Sequence, residues 1–283
     1  VSSEPNASSA RADATMLTGV SETALMTLKV RATEAARPDG LIDDPMAIHL
    51  VDSIEFDFAK FGLSRRQDMA VRARCFDRET RRYLGDHPRA TVVALAEGLQ
   101  TSFYRLDTGE VGHEFHWLTV DLPPVIELRR RLLPPSDRVR MLAQSALDYS
   151  WMGHVDTEHG VFITAEGLLM YLQPEEALGL IRECAARFPG GQMMFELPPA
   201  WFARAISSGL LRPSLSYRVP PMPFHMTPSQ VASLVNDIPG IRAVHDVALP
   251  PGRGRVLNAL MWGAQRLPWL DSVRPVFTVL EFG

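Results

Sequence analysis

The chain predicts an α/β protein, a mainly parallel sheet with helices on both faces. Three observations carry this. From Thr91 onward, short β-rich runs alternate with helical stretches at the cadence of strand–helix–strand units. The first of those runs, VVALA at 92–96, is apolar at consecutive positions, as a strand buried on both sides must be. And 283 residues, 46% hydrophobic and 22% charged, suffice for one large core.

Taken in order, residues 1 to about 14 are rich in Ser, Ala, Asn and Pro and are expected to be loose, so one domain is expected over 15–283. A helix is expected from Met16 to Ala36, where Leu17, Val20, Ala24, Leu25 and Leu28 recur at three- and four-residue steps; Pro38 and Gly40 end it. A second, near Asp44–Asp52, opens on Asp44-Pro45. A third, about Ser64 to Leu84, is heavily basic, and most of its arginines read as a solvated face with acidic neighbours. Together these make a helical N-terminal segment, 15–88. Strands follow at Thr91–Ala96, His116–Asp121, Arg138–Leu142, Val161–Glu166 and Gln192–Leu197, with helices at Pro123–Leu133 and Pro174–Phe188. The stretch 198–228 breaks the cadence with prolines and with Trp201, Phe202, Tyr217 and Phe224. It reads as a lid insertion or pocket wall, or equally as a surface excursion with its own small core. A helix at Thr227–Val235, a strand at Ile241–Leu249, a helix at Val256–Gln265 and a strand at Pro275–Phe282 complete the chain.

Composition excludes several functions. The formal net charge of −4 supplies no bulk positive field for a polyanion, so no nucleic-acid partner is expected. The two cysteines, Cys75 and Cys184, form no CxxC pair, and no metal site is indicated. No apolar run reaches the roughly 18 residues of a membrane helix; the longest, Val161 to Leu172, carries Glu166 at its centre. The polar N-terminus lacks an apolar signal core, so the expected setting is cytoplasmic, without a membrane partner.

In an open parallel sheet, ligands bind beyond the carboxyl ends of the strands. Gly98, after the first sheet strand, allows a sharp turn and a close ligand approach. Asp121 ends the second strand, where a carboxylate grips a ribose diol, although an Asp before Leu-Pro-Pro also suits a helix cap. The loop reads A-E-G-L-Q-T rather than G-x-G-x-x-G, which disfavours a pyrophosphate and with it a nicotinamide oxidoreductase. A nucleoside without phosphates fits better, and S-adenosylmethionine is such a ligand. Leu147 and Asp148, after the third strand, are placed to flank an adenine, or Asp148 simply caps the following turn. Glu166, inside an apolar run, needs a partner: either a ligand ammonium or an arginine such as Arg74.

The succession VVALAEGLQTSFYRLD, VDLPPVIELRRRLLP, ALDYSWM and AEGLLMYLQPEE resembles the leucine carboxyl methyltransferase family, whose bacterial members include tetracenomycin-type polyketide O-methyltransferases. The segment TLKVRATEAARPDGLIDDPMA is similar to that family's N-terminal helices. The resemblance implies a Rossmann-like class I methyltransferase fold: a seven-stranded, mostly parallel sheet with an antiparallel last strand. It implies S-adenosyl-L-methionine as cofactor, with contacts from Arg74, Gly98, Asp121, Leu147, Asp148 and Glu166. It also implies an O-methyltransferase acting on a carboxylate or phenolic hydroxyl of a small aromatic, polyketide-like acceptor.

The loop departs from the family's usual G-A-G-L-D-T-R at Ala96, Glu97, Gln100 and Ser102. A Glu97 carboxylate facing the cofactor would repel its carboxylate unless it turned away or met an arginine. A second reading follows from these departures, a fold-conserving protein whose cofactor binding is weakened or lost. A carboxylate acceptor needs no general base, whereas a phenol benefits from one. No convincing base stands out. Tyr171 and His225 are the candidates, each with packing as the plainer alternative.

Overall fold

The computed structural model describes residues 11–62, 66–212, 214–254, 258–259, 263 and 271–283. The chain opens with a two-residue strand β1 (Ala12–Asp13) that pairs in parallel with β2 (Ile54–Glu55). Ala12, Ala14 and Leu17 are buried in an apolar cluster with Leu25, Leu50 and Phe61, so residues 11–14 are not the loose tail that their polarity suggested. Residues 1–10 lie outside the described residues.

The three N-terminal helices are α1 (Thr23–Ala35), α2 (Pro45–Ser53) and α3 (Asp68–Asp86). Helix α1 starts seven residues later than its periodicity suggested. Gly19 at φ +59° turns the chain ahead of it, and Met16 and Val20 lie on the surface. The Asp44 carboxylate accepts from the Ala47 amide to cap α2, as the Asp-Pro start required.

The main sheet contains β3 (Thr91–Leu95), β4 (His116–Asp121), β5 (Val139–Ala143), β6 (Val161–Ala165), β7 (Gln192–Leu197), β8 (Ile241–Asp246) and β9 (Val276–Phe282). Their spatial order is β5-β4-β3-β6-β7-β9-β8. All pairs from β5 to β7 are parallel, while β9 runs antiparallel between β7 and β8. This is the expected seven-stranded sheet with its last strand reversed.

Strand β3, an interior strand paired with β4 and β6, divides its side chains between two cores. Val93 and Leu95 join Ile163, Phe195 and the buried residues of α6 (Pro174–Arg187) and α8 (Pro228–Asp237). Val92 and Ala94 join Phe162, Met194, Trp117 and the α3 residues Cys75, Phe76 and Tyr83. A five-residue α4 (Ser102–Leu106) follows β3, too short for any periodicity to show it. Helix α5 (Pro123–Leu132) packs Val125 and Leu128 against the N-terminal cluster. Among the described residues of 198–227, only α7 (Ala200–Ser207) is regular. The helix expected at Val256–Gln265 lies almost wholly outside the described residues.

Candidate active site

A cleft of about 960 Å³ lies over the carboxyl ends of β3, β4, β5, β6 and β7, within the range of small-molecule sites. Its floor is polar, from Gly98, Gln100, Asp121, Glu166, Gly167 and Glu196. One wall is apolar, from Met170, Trp201, Phe202, Ile206 and Met222.

Gly98 has φ +59°, and a Cβ placed there would lie 2.9 Å from the Ala24 Cβ of α1. The turn therefore needs glycine both for its conformation and for the close approach of α1. Its amide donates to Asp121 Oδ2 at 2.7 Å, while the Leu122 amide donates to Oδ1 at 2.7 Å. Asp121 thus ties the β3 loop to β4. It does not cap α5, whose N-cap residue is Leu122 and which has no side-chain cap. Burial pushes the Asp121 carboxyl above its usual value, and the two amides pull it back.

The four departures in the loop have local partners. Glu97 turns inward: Arg129 Nη2 lies 2.9 Å from its Oε2, which also accepts from the Thr119 hydroxyl at 2.6 Å and from Trp117 Nε1 at 3.3 Å. Its charge is matched beneath the sheet edge by an arginine of the LRRRLLP run. Arg129 also donates to the carbonyls of Gly98 and Gln100, so the same pair holds the loop from below. Gln100 Nε2 donates to Glu166 Oε1 at 2.5 Å. The Ser102 hydroxyl accepts from Arg105 Nη2 at 2.9 Å. Ala96 takes φ +49°, the one non-glycine residue with positive φ among the described residues, where the family's usual residue is glycine.

A buried network braces the loop from the other side. Asp44, wholly buried, receives Arg31 Nε at 3.1 Å, Arg105 Nη1 at 2.8 Å and the Thr101 hydroxyl at 2.7 Å. Arg105 also chelates Asp77 at 2.7 and 2.9 Å, and Arg31 Nη2 donates to the Leu99 carbonyl at 2.8 Å. Burial alone would raise the Asp44 carboxyl, but Arg105 and Arg31 hold it below its usual value. Sequence reading passed over this network because its bonded partners lie as far as 68 residues apart.

On the cleft floor Arg72, not Arg74, is the arginine of α3. Its Nε donates to Glu166 Oε1 at 2.8 Å and its Nη1 to Glu196 Oε1 at 3.3 Å. Arg74 is two positions along the same helix, which turns it by about 200°. It donates to the Pro251 carbonyl at 3.1 Å and does not line the cleft. The partner that Glu166 required is therefore supplied by the protein.

Glu196 was missed. It is the penultimate residue of β7, in the run MMFELPP, where a lone carboxylate after three apolar residues was the available signal. It is 4% exposed, and its Oε1 accepts from the Gly167 amide at 2.8 Å. Its Oε2 is buried without a partner. Burial pushes the Glu196 carboxyl up to about 7, with Arg72 opposing and Glu166 reinforcing the shift.

The remaining candidates divide. Leu147 lines the cleft, but Asp148 does not; the Asp148 carboxylate accepts from the Ser150 amide and caps the turn that follows. Tyr171 lines the cleft, and burial pushes its hydroxyl up to about 12, so it is no base at neutral pH. His225 lines a separate 230 Å³ hollow with Arg204 and Arg274, away from the floor. Of the four aromatics expected in an acceptor wall, Trp201 and Phe202 line the cleft. Tyr217 packs edge-on to Phe61 with ring centres 4.8 Å apart, and Phe224 lies in the main core.

A seven-stranded sheet with this order and a polar cleft at its carboxyl edge defines the class I methyltransferase fold. Solved structures agree with it. A Thermobifida fusca YX protein named as a methyltransferase matches with a TM-score of 0.56 at 16% identity, over 88% of this chain and 99% of that one. The small RNA methyltransferase HEN1 matches with a TM-score of 0.50 at 12% identity, over 74% of this chain and 25% of that one.

Sequence comparison narrows the class. The leucine carboxyl methyltransferase family matches over residues 24–185. The tetracenomycin polyketide synthesis O-methyltransferase TcmP of Streptomyces glaucescens is 36% identical over 200 residues, 69% of this chain and 73% of that protein. The S-adenosyl-L-methionine-dependent methyltransferase dpfgK of Gibberella zeae is 29% identical over 64% of this chain and 67% of its own length. The chain belongs to the leucine carboxyl methyltransferase family, and its cofactor is S-adenosylmethionine. The cleft suits that group: a carboxylate fixed by two amides and a close-set glycine turn lie at its floor. Among the described residues no helix is long and apolar enough to cross a membrane.

Proposed function

We propose that the protein transfers a methyl group to an oxygen of a small, planar, largely apolar acceptor of the polyketide type. The observation that carries this is the division of the cleft into a polar floor over β3, β4 and β6 and an apolar wall led by Trp201 and Phe202, which lie edge-to-face with ring centres 5.8 Å apart. The similarity to an O-methyltransferase of tetracenomycin synthesis supports an oxygen acceptor of this kind.

In this reading the two oxygens of Asp121, each already fixed by one amide, keep lone pairs for the ribose hydroxyls. Gly98 provides the close floor beneath the methionine portion, and Leu147 packs on the adenine. Glu166, held by Arg72 and Gln100, faces the ammonium end. The bound cofactor supplies an electrophilic methyl on a sulfonium. The chain's own residues align the acceptor oxygen and exclude water from its approach, which is what an in-line displacement needs. The reading of a protein that has lost its cofactor rested on four loop residues. Glu97, Gln100 and Ser102 make the contacts described above, and these favour a competent loop.

The test is incubation of the purified protein with methyl-labelled S-adenosylmethionine and a panel of polycyclic phenols, aryl carboxylic acids, aryl amines and thiols. Mass spectrometry should place the label on oxygen of a planar acceptor. Label confined to nitrogen or sulfur overturns the proposal, as does the absence of any calorimetric heat with S-adenosylhomocysteine at millimolar concentration.

A further inference from the structure

Three arginines line the cleft, and they differ in what already holds them. Arg72 is shared by Glu166 and Glu196 on the floor. Arg66, ahead of α3, donates from Nε to Asp68 at 3.1 Å. Arg212 has no carboxylate partner among the described residues, and its side chain donates from Nε to the Gly209 carbonyl at 3.0 Å. A guanidinium carries five N–H donors, so Nη1 and Nη2 keep four between them. That outer edge is one whose spacing matches two oxygens of a single anion.

The chain after α7 fixes where this edge lies. It turns at Gly209, with φ +74°, and the Leu211 amide donates back to the Ala205 carbonyl at 3.0 Å. The Arg212 guanidinium lies across that turn: a Cβ on Gly209 would stand 2.9 Å from its Nη2. Two residues on, the Ser214 hydroxyl donates to the Lys60 carbonyl, so the chain crosses from α7 to the N-terminal segment just past Arg212. Leu210 is 82% exposed and Leu215 96%, which puts the crossing at the rim of the cleft and not at its floor. Helix α7 has eight residues and a rise of about 12 Å, with Trp201 near its start and Arg212 beyond its end. The wall thus begins beside β7, runs along exposed apolar side chains such as Trp201 and Leu211, and ends on a cation.

Such a wall is complementary to a flat apolar body with a negative charge at one end. We infer that Arg212 binds an oxyanionic substituent of the acceptor, remote from the oxygen that receives the methyl group, and thereby selects among planar acceptors and fixes which end enters first. This deepens the methyl-transfer reading and rests on it. It leaves the reacting oxygen free to belong to a hydroxyl or a carboxylate, because that oxygen lies over the floor. Capping of the α7 turn accounts for the Nε bond and for nothing at Nη1 and Nη2. An ion pair in open water is weak, but a ring system lying on the wall removes water from one side of the guanidinium and strengthens it.

The experiment titrates three probes on one ring system into the full chain: a neutral hydroxyanthraquinone, the same compound with a sulfonate on the far ring, and its trimethylammonium counterpart. A sulfonate stays ionised and is not itself the group to be methylated. With S-adenosylhomocysteine bound, wild type should hold the sulfonate probe about fivefold more tightly than the neutral one, and the trimethylammonium probe least tightly. The sulfonate advantage should shrink between about 0.05 and 0.5 M salt. Arg212→Ala should abolish the advantage while leaving the affinities for the neutral probe and for S-adenosylhomocysteine unchanged, and Arg212→Lys should keep part of it. The preference should be the same with sinefungin, a cofactor analogue bearing a protonated amine where the sulfonium methyl would stand. Equal or weaker binding of the sulfonate probe to wild type overturns the inference, and that arm needs no variant to fold. A preference that survives Arg212→Ala overturns it too, by assigning the anion to Arg66 or Arg72. So does a preference seen only with sinefungin, which would seat the anion at the reacting centre. Failure of wild type to bind S-adenosylhomocysteine would instead bring down the methyl-transfer reading, and the inference with it.

Discussion

Two charged regions lie side by side under and over the β3 loop, and they are built on opposite terms. Below and behind the loop, Asp44 receives two arginines, a hydroxyl and an amide, and Asp77 is chelated by Arg105. On the cleft floor, one guanidinium is shared by Glu166 and Glu196, and Glu196 keeps an oxygen without a donor. The first arrangement holds the loop in one place, because removing any member strands a charge in the interior. The second is unfinished within the protein, and groups left unfinished in a cleft mark where a ligand completes them.

That contrast can be broken first at Asp44. Asp44→Ala leaves Arg31 and Arg105 short of a buried partner and should cost about 3–5 kcal/mol in urea unfolding. A loss below about 1 kcal/mol would mean that the network is not what holds the loop. Next in size is Glu97→Ala, which strands Arg129. It should destabilise by about 3 kcal/mol and weaken S-adenosylhomocysteine binding as the loop loosens. If Glu97 instead faced the cofactor, affinity would rise.

The floor predicts a different signature. Glu196 binds its proton more tightly folded than unfolded, so its protonation favours the native state. That contribution is complete below its ordinary value of 4.5 and is lost as pH rises through about 7. Wild type should therefore lose stability relative to Glu196→Gln between about pH 5 and pH 8, a trend that thermal unfolding across that range will show. A constant difference would place Glu196 among the fully partnered groups. The smallest effect is expected at Ala96. Ala96→Gly relieves a positive φ and should gain about 1 kcal/mol, against which glycine's greater unfolded-state freedom works.

Much of the architecture was legible locally. The uninterrupted apolar run of β3 required burial on both faces, and the structure gives Val93 and Leu95 to one core and Val92 and Ala94 to the other. Gly98, Asp121, Leu147 and Glu166 could be read as cleft residues because strand ends in a parallel sheet converge on one edge, and all four line it. Arg74 failed against Arg72 because a density of arginines along α3 identifies the helix but not the face it turns inward. Asp148 and His225 failed because a cap and a surface hollow use the same residue types as a site.

The order of apolar and polar residues along the chain determined the strands, the helices and the edge at which ligands would gather, since those depend on periodicity and on backbone hydrogen bonding between neighbours. Which charges are satisfied was decided only in three dimensions. Arg129 finds Glu97 across 32 residues and Arg72 finds Glu196 across 124. An electrostatic partnership depends on distance through space and on exclusion of water, and neither quantity is written in the spacing of residues along a chain.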